Sequence, residues 1–458
     1  MSIATINPTT GITLEIFEPH GDVEVERRLD LAAQGSAAMR ASSMEQRAIW
    51  LLSTAEVLEQ DVDWLASAIT IEMGKPIHQS QREIQKCIHT LRFFATNAAD
   101  FLADARQGDP SSVGASKAWT TWQPLGTVLA VMPWNFPLWQ VIRFAVPALA
   151  AGNSCLLKHA SNVPRAALYL DSLFKRGGFP DGAFQTLLIG SSAIADLIGD
   201  DRIAAVSITG SEPAGRSVAT AAGKNLKKSV LELGGSDPFI VMPDADIDAA
   251  STSAVKARVQ NNGQSCIAAK RFIVHSAIYD DFVDAFVSKM EALTVGDPLD
   301  EATDVGPLAT QSGRDDLLDL VHDAAAGGAS ILTGGTAPNR PGWFFPPTVI
   351  ADLHDGMRIV KEEAFGPVAT LYRVNSREEA LSVANGTRFG LSSSIWTSNH
   401  DDQTWFVNQL DAGAVFVNGM TSSFAELPFG GVKSSGHGRE SSNAGIREFC
   451  NLKTVWVA

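Results

Sequence analysis

No run of about 20 uninterrupted apolar residues occurs in this chain, so a membrane-crossing helix is not expected. The most apolar region, GTVLAVMPWNFPLWQVIRFAVPALAAGNSCLL, is broken by Asn135, Gln140 and Arg143 and by Pro133, Pro137 and Pro147, and reads as protein interior. Cysteine is scarce. Cys87, Cys155, Cys266 and Cys450 are scattered, with no CxxC pair and no Cys/His spacing of a zinc site. A chain of 458 residues buries enough apolar surface to need no disulfide staples. Positive charge is also short: 36 Lys and Arg face 51 Asp and Glu, a formal charge of −15. That excess argues against nucleic acid or an anionic membrane as main partner, although one local cluster of cations would suffice for a small anion. The N-terminus MSIATINPTTGITLEIF lacks a basic segment followed by an apolar block, so a secretory signal is not expected and the cytoplasm is.

What is present is an α/β chain, with 45% hydrophobic and 19% charged residues. Its length exceeds the roughly 250–300 residues of one core, so two or three domains are expected. Residues 22–105 read as mostly helical, with Ser42 or Ser43 as N-cap before MEQRAIWLLSTAEVLEQ. From residue 126, apolar strands (GTVLAVM, NSCLLKH, AFQTLLIG, AAVSITG) alternate with turns and helical stretches, the rhythm of a parallel sheet. A second series, RFIVH, ASILTGG, ATLYRV and AVFVNG, follows LELGG. Gly234-Gly235 and PFGG at 428–431 are candidate crossings between the two units.

Two loops invite a cofactor reading. One strand ends at Lys158, with Ser161 before a helix opened by Pro164; another ends at Gly210 and Ser211. In parallel sheets, ligands lie beyond the carboxyl ends of strands, where helix N-termini offer free N–H groups to phosphate. Ser161 and Ser211 are equally readable as ordinary N-caps. GSEPAGRS (210–217) resembles a phosphate-cradling loop, but Arg216 stands where that loop needs lysine, and Pro213 would distort it.

In RVQNNGQSCIAAKRF, a helical stretch meets Asn261-Asn262-Gly263, residues tolerant of positive φ, and Cys266 follows just beyond. A free thiol ionises near pKa ~8.5, so a nucleophilic role requires help, and an inert buried thiol is the plain alternative. Four further runs decide between these readings. Along the chain, PWNFP (133–137), LELGG (231–235), NNGQSC (261–266), EEAFGP (362–367) and PFGGVKSSG (428–436), taken together and in this order, resemble the signature of the aldehyde dehydrogenase superfamily.

The resemblance implies a Rossmann-type cofactor domain (1–232, with 112–124 in an oligomerisation arm) and an α/β thiol domain (233–427). Residues 428–458 would return to the cofactor domain and end in an arm strand that pairs subunits into a dimer or tetramer. It also implies roles. Cys266 attacks the aldehyde carbon, Asn135 and the Cys266 N–H hold the oxyanion, and Glu232 activates the water that hydrolyses the thioester. Glu232 favours hydrolysis over transfer to coenzyme A. A carboxylate beside a thiolate raises both pKa values, a tension that an oxidised, cationic nicotinamide would relieve.

The cofactor set implied by the resemblance is Trp134, Lys158, Ser161, Gly210, Ser211, Glu363 and Phe365. Many NAD-preferring members carry glutamate where this chain has Ser161, so NADP is expected to be preferred, with NAD usable. Members that oxidise succinate semialdehyde carry an arginine at the position of Arg143, four residues after Trp139 on one helix face begun by Pro137. Pairing of Arg143 with a nearby acid is the alternative. A second arginine of such enzymes is replaced here by Gln260, and a second cysteine by Ala268; Ser422, Ser423 and Phe429 complete the expected substrate set. The expectation is oxidation of succinate semialdehyde to succinate. Glutarate semialdehyde or another aldehyde is the runner-up, and a non-catalytic nucleotide-binding or structural protein on this scaffold is the reading of another class.

Overall fold

The computed structural model describes residues 2–106 and 108–458. After an antiparallel hairpin, Ile3–Asn7 with Ile12–Phe17, come four helices: Asp22–Ala41, Met44–Gln60, Val62–Met73 and Ile77–Phe101. Ser43 caps the second, accepting from the Gln46 N–H at 3.2 Å.

The six-stranded sheet runs Gly436–His437, Lys228–Glu232, Ile203–Thr209, Thr127–Val131, Ser154–Lys158, Phe184–Thr186. All its pairings are parallel except that of the first strand, which is antiparallel. Thr127–Val131 comes first in the chain yet lies centrally. The next two strands add on one side of it and Ile203–Thr209 and Lys228–Glu232 on the other, so the strand order reverses beside it. A crevice opens at such a reversal, and the PWNFP loop and Gly210-Ser211 both follow strands that border it.

The chain leaves this sheet at Glu232 and enters a seven-stranded sheet at Pro238, with Gly234-Gly235 between. That sheet runs Ser330–Thr333, Thr348–Ala351, Val368–Val374, Arg271–His275, Pro238–Val241, Ser393–Trp396, Val415–Val417, and only its first pairing is antiparallel. Three of its strands escape sequence reading: Pro238–Val241, Thr348–Ala351 and Ser393–Trp396 are four residues each and buried throughout, so they show no polar alternation. A third, antiparallel sheet joins Ala105–Arg106, Lys117–Pro124 and Cys450–Val457. No helix among the described residues is long and apolar enough to cross a membrane.

One boundary departs from expectation. The helix carrying Trp139 and Arg143 begins at Trp139 and not at Pro137. Its free N–H groups are satisfied from another helix: one oxygen of Glu83 accepts from the backbone of both Leu138 and Trp139 at 2.8 Å. The other oxygen of Glu83 pairs with the buried Lys75 ammonium. Glu83 thereby locks Ile77–Phe101 to the start of the helix that bears two expected substrate residues. Removing one member of a buried pair typically costs about 3–5 kcal/mol. Glu83→Ala is therefore expected to unfold at a clearly lower midpoint in a denaturant or thermal scan, and a midpoint equal to wild type contradicts this role.

Candidate active site

The helix Ile247–Val259, capped by Asp246, ends in three successive left-handed residues: Asn261 (φ 55°), Asn262 (φ 56°) and Gly263 (φ 72°). Asparagine and glycine tolerate this region where other residues resist it. Asn262 donates to the carbonyls of Gly74 and Pro307, both at 2.9 Å, and accepts from the Gly306 N–H at 2.8 Å. Asn261 donates to the carbonyls of Asn135 (2.7 Å) and Gln264 (2.9 Å), while its own N–H donates to Gln79 at 2.7 Å. A side chain at Gly263 would run into the Gly366 backbone. The turn is thus held from four directions, and Cys266 follows it.

Cys87, Cys155 and Cys450 are buried, whereas Cys266 is partly exposed. It lines a cavity of about 800 Å³ that also gathers Trp139, Arg143, Gln260, Ser422, Ser423 and Phe429. Every residue expected at the substrate is in that wall. Charged residues of the wall are mostly positive: Arg82, Lys86, Arg143, Lys256 and Lys289 against Glu83 and Asp304. A cationic cavity in a chain of charge −15 is a local inversion. Burial pushes the Cys266 thiol up to about 12; Arg143 and Lys270 pull against this, and Glu363 and Asp237 add to it. The expected tension with Glu232 is therefore not the chief cause.

Asn135 lies in the loop after Thr127–Val131, buried, and its amide donates to the Gln264 carbonyl at 3.0 Å, which leaves its second N–H for another acceptor. Glu232 ends its strand, buried, with neither carboxylate oxygen hydrogen-bonded. Burial and then Glu440 hold its pKa well above the ordinary carboxylate value, opposed by Arg143 and Arg439. It packs against Gly430, where an added methyl would come within 2.7 Å of its oxygen, and does not border the cavity of Cys266. A carboxyl so placed keeps its proton until it turns toward water.

Arg143 follows the alternative reading, pairing with an acid, while it also lines the cavity. Its Nε pairs with Glu440, its Nη2 donates to the Thr209 hydroxyl at 3.4 Å, and its guanidinium stacks 4.3 Å from the Phe429 ring centre. Lys86 was not anticipated. It rises from Ile77–Phe101, its ammonium 4.0 Å above the Trp139 ring and donating to the Ser423 hydroxyl at 2.7 Å. In the sequence it is one more polar residue of a helix, and nothing local marks it for the cavity.

None of the expected cofactor residues lines the cavity of Cys266. Trp134 and Phe365 meet edge to face at 5.7 Å. Glu363 accepts from the Gly235 N–H at 3.2 Å and pairs with Lys270 at 3.0 Å. Ser211 stands at the N-cap of Glu212–Lys224 but makes no capping bond, and Ser161 lies two residues before the N-cap of Pro164–Arg176, so neither serves as an ordinary cap. Burial alone lowers the pKa of Lys158, and the buried Asn162 amide nitrogen has no hydrogen-bond partner. Two helix starts, an ammonium and an unsatisfied donor fit an anionic, hydroxyl-rich ligand such as a dinucleotide. Among the described residues no group of three or more His, Cys, Asp or Glu is placed to hold a metal ion.

The sequence pattern of the aldehyde dehydrogenase family matches residues 1–455. The chain belongs to that family. The whole chain is 57% identical over 458 residues to the whole of succinate-semialdehyde dehydrogenase [NADP(+)] 1 of Mycobacterium tuberculosis (strain ATCC 25618 / H37Rv). It is 55% identical over the same span to succinate-semialdehyde dehydrogenase [NADP(+)] of Mycobacterium leprae (strain TN). Its fold superposes with a TM-score of 0.96 on succinic semialdehyde dehydrogenase from Streptococcus pyogenes in complex with NADP+, at 36% identity and 99% coverage of each chain. The α/β architecture of this aldehyde dehydrogenase, a Rossmann-type sheet beside a second α/β sheet, is that of its solved relatives.

Because only thiolate alkylates readily, the raised pKa of the Cys266 thiol makes a pH prediction for the free enzyme. Labelling of Cys266 by iodoacetamide should climb about tenfold per pH unit through about pH 10. A plateau below about pH 9 would contradict the upward shift.

Proposed function

We propose that this aldehyde dehydrogenase oxidises succinate semialdehyde to succinate, with NADP as preferred cofactor and NAD as a poorer one. The observation that carries the substrate is the cationic wall around Cys266, which suits an aldehyde bearing a carboxylate. The names of the mycobacterial relatives support the same reading. Ser161 supports the cofactor: a small neutral side chain spares a 2′-phosphate the repulsion that a carboxylate would impose.

In this mechanism Cys266 is the nucleophile. Its thiolate bonds to the carbonyl carbon, and the oxyanion so formed accepts from the free Asn135 N–H and the Cys266 N–H. Such a donor is typically worth about 3–4 kcal/mol at the transition state. Trp134, Lys158, Ser161, Gly210, Ser211, Glu363 and Phe365 would hold NADP, which when bound would supply the acceptor for the hydride that the adduct carbon loses as it becomes a thioester. Glu232 then turns from its pocket and gives its proton to water; as a carboxylate it takes a proton from a second water, whose hydroxide adds to the thioester carbon and expels the Cys266 thiolate, releasing the acid. A base of this kind typically contributes about 10²–10⁴ in rate.

Residues 1–232 form the proposed cofactor domain and 233–427 the thiol domain, with 428–458 returning to the first. The strand Cys450–Val457 leaves Leu452 and Trp456 about half exposed, and this supports pairing of subunits along the arm formed with 112–124. Such an oligomer in the cytoplasm completes the proposal. The cavity is roomy for a four-carbon substrate, which keeps glutarate semialdehyde as the runner-up.

Steady-state kcat/KM over a panel of aldehydes with each cofactor tests this. Succinate semialdehyde with NADP should rank first, and Ser161→Glu should lower kcat/KM for NADP about 100-fold, since a like-charge contact costs several kcal/mol. A wild-type enzyme that strongly prefers NAD contradicts the Ser161 argument, and one that turns over no aldehyde returns the chain to a non-catalytic role.

A further inference from the structure

The family resemblance leaves the position of one carboxylate-gripping arginine filled by Gln260, while Arg143 is engaged by Glu440. A charged group is still required if a carboxylate is to be chosen over a methyl in so large a cavity. The Lys86 ammonium meets that need geometrically. Trp139 Nε1 donates to the Ser423 hydroxyl oxygen at 3.1 Å and Lys86 Nζ donates to it at 2.7 Å. A hydroxyl has two lone pairs and one proton. With both lone pairs taken, Ser423 has its proton left to donate, and the Lys86 ammonium has two further N–H groups. Three donors therefore converge beside the Trp139 ring, in the wall that also carries Cys266.

Among the described residues no carboxylate forms an ion pair with this ammonium, although Glu426 feels its charge. Glu83 is occupied by Lys75 and by the Leu138 and Trp139 N–H groups. Glu426 binds His89, and Asp304 accepts from the Thr294 N–H.

We propose that Lys86, with the Ser423 hydroxyl, is the specificity-determining anchor for the carboxylate of the semialdehyde, replacing the arginine missing at position 260. This rests on the reading that the substrate bears a carboxylate, and deepens it. Burial and the neighbouring Arg143 charge push the Lys86 amine down to about 7, against weaker support from Cys87, Glu83 and Cys266. An anion binds the protonated amine, so recognition is full below that pH and fades above it. The neutral amine can instead accept the Ser423 proton, which dismantles the donor set.

The test compares succinate semialdehyde with butanal, its uncharged four-carbon analogue, in wild type, Lys86→Met and Lys86→Arg. Taking the ratio of the two kcat/KM values cancels thiol ionisation, which serves both aldehydes. Lys86→Met should lose about 100-fold in kcat/KM for the semialdehyde, mainly through KM, while butanal changes by no more than about twofold. Lys86→Arg should recover part of the loss. The wild-type ratio should fall as pH rises through about 7, and the Met variant's ratio should stay flat. An equal loss on both aldehydes, or an unchanged ratio in Lys86→Met, overturns the proposal. A wild-type enzyme that favours butanal instead overturns the substrate reading beneath it, whatever the variants do.

Discussion

Three consecutive backbone positions in the left-handed region, Asn261 to Gly263, set the geometry on which the site depends. An ordinary L-residue pays about 1–2 kcal/mol to sit there. The strain persists because Asn262, fully enclosed, satisfies its whole amide on Gly74, Pro307 and Gly306, and because Asn261 clasps the carbonyl of Asn135. Each such bond contributes about 0.5–1.5 kcal/mol net, but leaving one unmade in the interior costs more. Together they fix Cys266 relative to the loop after Thr127–Val131, which joins the proposed nucleophile and the proposed oxyanion donor in one network. The missing side chain of Gly263 lets the turn lie directly on Gly366, so the EEAFGP loop shares the same anchorage.

Buried charge does the aiming around this turn. Lys75 with Glu83 and Arg143 with Glu440 are ion pairs almost wholly removed from water. Such pairs stabilise little after desolvation, and their value lies in fixing orientation. Glu83 sets where the helix of Trp139 begins; Glu440 holds Arg143 over the Phe429 ring and stands near Glu232. Cations left over, Lys86 among them, give the cavity its sign. Burial raises the pKa of both the Cys266 thiol and the Glu232 carboxyl, the two groups the proposed mechanism ionises.

Much of this was legible in the residues themselves. The Asn-Asn-Gly stop foretold the left-handed turn, since few other residues accept it, and period and turn chemistry foretold the alternating sheet between residues 126 and 210. The motif runs named the family. What escaped reading is what tertiary packing decides. Four-residue strands such as Ser393–Trp396 are buried on both faces and carry no alternation. The late start of the Trp139 helix follows from a carboxylate 55 residues away in sequence. Lys86 carries no sequence signal because nothing local says that Trp139 and Ser423 lie opposite it.

The central claim is a transient bond between the sulfur of Cys266 and the substrate carbon, released by water that Glu232 activates. Intact-protein and peptide mass spectrometry of Glu232→Gln, quenched after mixing with succinate semialdehyde and NADP, tests it most directly. The account predicts a succinyl adduct that accumulates on the peptide carrying Cys266 while steady turnover collapses. A Glu232→Gln enzyme that turns over at the wild-type rate with no adduct on that peptide would contradict it.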